Sequence, residues 1–148
     1  AFPLARRSQV WYGCSHWDGS KATDIGVVGD TATNPPSKNR FPVVAYTSGR
    51  IIGVSVNPTA GKRVDLLGND GRRYYYSHNC KVFVKTGDTV SAGQVVATTD
   101  NTGSAATSVE HVHFEIHLSN SQKICPAEDF KTKLNDTNCG SQQLCIPL

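Results

Sequence analysis

Residues 110–118 have the sequence EHVHFEIHL, in which polar and apolar side chains alternate strictly. The apolar positions are Val112, Phe114, Ile116 and Leu118, and the polar positions are His111, His113, Glu115 and His117. A β-strand points residues i and i+2 to the same face, whereas an α-helix turns them about 200° apart. The stretch therefore predicts a strand with one apolar core face and one face that carries two imidazoles side by side.

This histidine pair has two interpretations. Two neighbouring imidazoles suit a zinc site, in which one ring binds the metal and the other lies beside whatever the metal holds. A half-exposed strand that turns its polar residues to solvent has the same pattern and needs no site. The strand alone does not decide between them.

The composition limits the class of protein. A chain of 148 residues is long enough for one ordinary core, so a single domain over residues 1–148 is expected. No apolar run is long enough to span a membrane. The net charge is +3, and no basic run is interleaved with aromatic residues, so nucleic acid is not an expected partner.

Short β-rich stretches separated by Gly, Asn and Asp turn signals dominate the sequence. The predicted strands cover residues 42–46, 50–56, 63–67, 74–78, 81–84, 94–98 and 109–118. A hairpin is expected across Asn69, Asp70 and Gly71, and one short helix over residues 127–134, after Pro126. The predicted class is all-β with minor α: an antiparallel sheet core with an open groove.

Five cysteines without a CxxC pair favour an oxidising compartment. Cys139 and Cys145 flank a short turn and are the expected disulfide. The start of the chain lacks both an initiator Met and an apolar signal core, so a processed or trimmed chain is expected. A secreted, extracellular location follows as the expectation.

Three more residues are candidates for a metal or catalytic site. His16 and Asp24 lie in HWDGSKATDIG, and His78 closes the predicted strand YYYSH. Two His and one Asp meet the needs of a catalytic zinc, which takes three protein ligands and leaves one position for water. Taken singly, a residue such as His16 is more often a solvated loop histidine and one such as Asp24 more often a turn cap, and His78 could be a strand-end histidine.

The ordered motifs of the chain resemble the lysostaphin/β-lytic (LytM-type) family of zinc endopeptidases, which cut peptide cross-links of bacterial peptidoglycan. The matching segments, in family order, are His16 with ATDIG, VVAYTSGRI, Tyr76-Ser77-His78, VFVKTGDTVSAGQVVATTDNTGSA and His111-Val112-His113-Phe114-Glu115. The likeness covers about residues 14–118. It leaves a Cys-containing extension over residues 119–148.

The resemblance implies that His16, Asp24 and His113 bind one Zn²⁺ and that His78 and His111 form the catalytic pair. Seven residues separate His16 from Asp24, which is longer than the commonest family spacing, so Asp18 competes as a ligand. Glu115 could orient a ligand ring, and Tyr76 is expected to pack rather than to react. Loops over residues 34–40 and 100–109 are expected to shape the cleft.

The implied activity is hydrolysis of peptidoglycan by a monomeric enzyme. A zinc-activated water would attack the peptide, with histidine as the proton acceptor because the sequence has no HExxH motif. One alternative is a catalytically idle zinc-binding module of the same fold, acting in signalling or as a scaffold. Another is a secreted β-rich inhibitor or toxin in which the histidines are incidental.

Overall fold

The computed structural model describes residues 1–4, 10–11, 20–27, 41–105, 110–134 and 144–145. The strands of this part of the chain are β1 (Val10–Trp11), β2 (Thr23–Val27), β3 (Pro42–Val44), β4 (Gly49–Asn57), β5 (Gly61–Gly68), β6 (Arg73–Val82), β7 (Thr89–Val90), β8 (Val95–Thr99), β9 (His111–His117), β10 (Lys123–Ile124) and β11 (Leu144–Cys145). A 3₁₀ turn covers Gly103–Ala105, and the helix α1 covers Pro126–Leu134. The all-β class with one short helix is confirmed.

All strand pairs are antiparallel. The main path through the sheet runs β11-β1-β2-β9-β6-β5-β4-β7, with β10 paired to β9 and β8 joining β3 to β6. The histidine strand β9 therefore lies between β2 and β6. Its alternation is as predicted, because Val112, Phe114 and Ile116 are fully buried while His113 and Glu115 are only partly so.

Residues 74–78 and 81–82 of two predicted strands belong to one continuous strand, β6, which ends at Val82, so the predicted break between them is wrong. The polar pair Asn79-Cys80 interrupts the apolar pattern but not the strand. Asn79 is buried, and its Nδ2 donates to the carbonyls of Lys62 and Tyr76, so the sheet accommodates this polar side chain. A shift in register beside Asn79 marks the irregularity.

The predicted hairpin is confirmed between β5 and β6. The amide of Gly68 donates to the Arg72 carbonyl at 2.9 Å, and Gly71 has a φ of +79°, a left-handed conformation that glycine adopts without steric cost. This turn sets the register in which Tyr76 of β6 lies beside Val64 of β5. The hairpin thereby determines where on the sheet His78, two residues after Tyr76, is placed.

An aromatic core lies beneath the sheet. Phe114 contacts Tyr46, Tyr74, Tyr76 and Phe130 with ring centroids 5.1–6.2 Å apart. Tyr76 is fully buried and its hydroxyl accepts a hydrogen bond from the Tyr46 amide, so it packs as expected from the sequence.

The C-terminal extension contributes to this core. Phe130 of α1 is fully buried, and Asp129 accepts hydrogen bonds from Tyr46 and Arg72. The helix α1 of the extension is therefore packed against the core. The single-domain assignment of the chain stays a prediction. Cys139 lies outside the described residues, so the expected Cys139–Cys145 pair stays a prediction as well. Among the helices in the described ranges, none is long and apolar enough to cross a membrane.

Candidate active site

Strand register brings distant residues of the sequence together. Asp24 of β2 lies directly opposite His113 of β9, and Ser77 of β6 lies opposite His113 on the other side. Directly paired residues share a face of the sheet. The three side chains therefore form a row across β2, β9 and β6, on the face away from the aromatic core.

Asp24 and His113 are in direct contact. The Asp24 Oδ1 atom lies 2.9 Å from Nδ1 of His113 and 3.8 Å from Nε2 of His111. Two ligand atoms held about 2.0 Å from a tetrahedral zinc are about 3.3 Å apart. The carboxylate oxygen and the imidazole nitrogen are thus of the right chemical type, and near the right separation, to bind one zinc ion.

Glu115 holds the other nitrogen of His113. Its Oε1 lies 3.0 Å from Nε2 of His113, its Oε2 accepts from Nε2 of His117 at 2.6 Å, and Lys123 Nζ donates to Oε1 at 3.1 Å. Burial disfavours the charged Glu115, but these hydrogen bonds outweigh it and hold the pKa of that carboxyl well below its usual range. Burial likewise opposes a charged His113, but the bonds to Asp24 and Glu115 raise its pKa to about 9.

An unusual backbone conformation brings the His78 side chain close to His111 and His113. Alternation along β6 would point His78 to the opposite face from Ser77. Its φ of +63° departs from strand geometry, and its ring lies 5.1 Å from that of His111 and 5.8 Å from that of His113. Burial and, secondly, repulsion by His111 lower the pKa of His78 to about 4. His78 is therefore neutral at physiological pH, and one of its ring nitrogens carries a lone pair.

These side chains line a cleft of about 410 Å³. The turn between β4 and β5 contributes Asn57, Thr59 and Ala60, and the 3₁₀ turn contributes Ser104 and Ala105. Part of the expected 100–109 loop thus forms a wall, whereas the 34–40 loop lies outside the described residues. The contribution of the β4–β5 turn was not predicted, because nothing local in its sequence indicates the cleft.

The structure brings together four of the five predicted site residues, Asp24, His78, His111 and His113. His16 and its competitor Asp18 lie outside the described residues. Within the described ranges alone, no group of three or more His, Cys, Asp or Glu residues could hold a metal ion. Asp24 and His113 supply two donors, so a zinc site with three protein ligands would need a third, for which His16 is the predicted residue and Asp18 its competitor.

Sequence reasoning missed Thr102 and Lys123. Thr102 accepts a hydrogen bond at its carbonyl from Nδ1 of His78, and Lys123 lines the cleft while bonded to Glu115. A backbone carbonyl leaves no signature in residue type. Lys123 stands on β10, which joins the site only through its pairing with β9.

The profile of peptidase family M23 matches residues 26–126. ALE-1 of Staphylococcus capitis, named a glycyl-glycine endopeptidase, is 34% identical over 102 residues, which are 68% of this chain and 27% of that protein. Lysostaphin of Staphylococcus simulans is 37% identical over 90 residues, covering 60% of this chain and 18% of lysostaphin. The chain thus spans only about a quarter or less of these relatives.

The fold of this chain is similar to the folds of solved structures. The catalytic domain of the antimicrobial peptidase lysostaphin from Staphylococcus simulans has a TM-score of 0.63 at 28% identity, over 82% of this chain and 89% of that chain. The SpoIIQ-SpoIIIAH pore-forming complex has a TM-score of 0.70 at 22% identity, over 86% of this chain and 88% of that chain. The second likeness shows the fold alone.

Proposed function

The chain belongs to peptidase family M23, and from this premise we propose that it is a secreted zinc endopeptidase that hydrolyses peptide cross-links of bacterial peptidoglycan. The observation that carries the proposal is the convergence of Asp24, His78, His111 and His113 on one cleft. The names of two relatives, a glycyl-glycine endopeptidase and an antimicrobial peptidase, support a target in the cell wall.

His16, Asp24 and His113 would hold the zinc ion. When bound in such a site, zinc lowers the pKa of a water molecule towards about 7 and polarises a carbonyl oxygen. Contact between Asp24 and His113 supports their part in this set. Glu115 orients the His113 ring through its second nitrogen, as carboxylates commonly do for ligand histidines.

His78 and His111 carry the proton transfers. The Nδ1–H of His78 donates to the Thr102 carbonyl, so its lone pair is on Nε2. His111 is buried beside it. Together the two imidazoles accept the proton of the attacking water, steady the oxyanion and protonate the departing amine. Positioned acid–base groups of this kind contribute about 10²–10⁴-fold in rate.

A digest of purified peptidoglycan tests the proposal. The full chain, loaded with zinc, is incubated with glycine-bridged and with directly cross-linked peptidoglycan, and the released fragments are identified by mass spectrometry. New peptide amino termini that disappear with a chelator and return with zinc are expected. Absence of new amino termini from both substrates would contradict the proposal.

The second candidate is a catalytically idle zinc-binding module of the same fold, because the residues that would hold zinc do not include His78 or His111. The presence of both His78 and His111 in the cleft favours the enzyme. An idle module predicts one zinc per chain but no fragment from either peptidoglycan. The secreted inhibitor or toxin predicts no stoichiometric zinc at all, so metal analysis separates it from both.

A further inference from the structure

His78 is held in its left-handed conformation by two backbone carbonyls. Its amide donates to the Ala60 carbonyl at 2.8 Å, and its Nδ1–H donates to the Thr102 carbonyl at 2.7 Å. Bulky residues rarely adopt a positive φ unless their surroundings determine it. The two carbonyls come from different loops, so the position of the ring depends on how these loops are held together.

The two loops are in close contact. A Cβ atom added to Gly61 would lie 2.2 Å from Thr102 Oγ1, and one added to Gly103 would lie 2.3 Å from the Gly61 nitrogen. Ser104 donates to the Thr59 carbonyl from both its amide and its hydroxyl, each at 2.9 Å. The β4–β5 turn and the 102–104 loop are therefore tied together as one unit.

The Thr102 side chain ties this unit to the strand that carries His78. Its hydroxyl donates to the Asn79 carbonyl at 2.9 Å and accepts from the Lys62 amide at 3.2 Å. Asn79 directly follows His78, and Lys62 lies on β5. The hydroxyl thus fixes the loop relative to both neighbouring strands, with its own carbonyl aimed at the imidazole.

We propose that Thr102 is a positioning residue for His78: its hydroxyl anchors the loop so that its carbonyl holds His78 as the Nδ1–H tautomer, with Nε2 facing the cleft. The hydrogen bond of one ring nitrogen determines which tautomer a histidine adopts. Thr102 does not touch the reacting atoms. The catalytic part of this inference rests on the proposed function, whereas the tautomer does not.

Nitrogen-15 NMR of the zinc-loaded full chain tests the inference without a substrate. The His78 resonances are assigned by their loss in His78→Gln. The wild-type protein is expected to show a single Nδ1–H tautomer at His78. An Nε2–H tautomer in the wild type would overturn the proposal, and this result does not depend on the folding of any Thr102 variant.

Substitutions then test the role of the hydroxyl. Thr102→Val removes both side-chain hydrogen bonds at nearly constant volume, while Thr102→Ser keeps them. The matched control is Thr89→Val, because the Thr89 side chain is exposed on β7. In Thr102→Val we expect a mixture of His78 tautomers and peptidoglycan digestion slower by at least about tenfold, with zinc content unchanged. Thr102→Ser and Thr89→Val should match the wild type.

The outcomes separate the two proposals. A single Nδ1–H tautomer in folded Thr102→Val, with digestion within about twofold of wild type, would overturn the role of Thr102. A wild-type protein with the expected tautomer but no digestion of peptidoglycan would instead contradict the proposed function and leave the positioning of His78 intact.

Discussion

At the scale of single residues, the site is built from carboxylate–imidazole contacts on a sheet face. Asp24 and Glu115 approach opposite nitrogens of His113, so the ring is held on both sides. A carboxylate that does not itself bind the metal, as proposed for Glu115, commonly fixes the orientation of a ligand histidine. Glu115 is itself bonded to His117 and Lys123, so its position is determined by three partners.

Glu115→Gln should weaken zinc binding by about 10–100-fold, because an amide holds the His113 ring less well than a carboxylate does. Competition with a chromophoric chelator measures the affinity directly. Asp88→Asn is the matched control, since Asp88 caps the Lys85 amide on a turn outside the cleft lining. Equal zinc affinity in Glu115→Gln and the wild type would contradict this role.

At the scale of elements, the sequence predicts the strands better than it predicts how they meet. Alternation correctly predicts β9 and the common face of its histidines. The pairing of β2 with β9 joins residues 89 positions apart, and no local pattern encodes it. Without the family resemblance, Asp24 would have remained one turn cap among several.

The position of His78 was the least accessible from sequence. Its residue type predicts a strand end, yet the strand continues to Val82, and a φ of +63° brings the ring to the cleft. That conformation depends on carbonyls from the β4–β5 turn and the 102–104 loop. Contacts between loops of this kind leave no periodicity to detect.

Tyr76→Phe tests whether the tyrosine beside His78 stabilises the fold or takes part in chemistry. The change leaves the buried Tyr46 amide without its hydroxyl acceptor, which should lower the free energy of unfolding by about 1–3 kcal/mol. Urea denaturation measures this loss. We expect peptidoglycan digestion at 25 °C to stay at the wild-type rate, and a loss of digestion in the folded variant would contradict the packing role.

At the scale of the whole molecule, three buried tyrosines make the stability of the fold depend on pH. Burial is the largest cause that raises the pKa of Tyr46, Tyr74 and Tyr76 well above the ordinary value of 10.0. Asp129 and Asp70 add to this effect at Tyr46 and Tyr74. The folded protein therefore keeps protons that the unfolded chain releases above pH 10.

Titration of these tyrosines should therefore leave the free energy of unfolding unchanged below pH 10 and lower it above pH 10. Once a tyrosine is ionised in the unfolded chain but not in the folded protein, it lowers the free energy of unfolding by about 1.4 kcal/mol per pH unit. The three tyrosines together lower it by about 4 kcal/mol per pH unit. Urea denaturation between pH 9 and pH 11 measures the decline. Ionisation of all five tyrosines near pH 10 in a protein that stays folded would contradict the expectation.

The proposed function requires that this cleft bind zinc with one set of residues and perform chemistry with another. The most direct test combines zinc analysis and peptidoglycan digestion on the same sample of His111→Ala, with Thr89→Val as the control. We predict about one zinc per chain in both proteins, and release of peptide fragments by the control alone. Continued release by zinc-loaded His111→Ala at the control rate would show that His111 is not needed for the chemistry and would overturn the proposed mechanism.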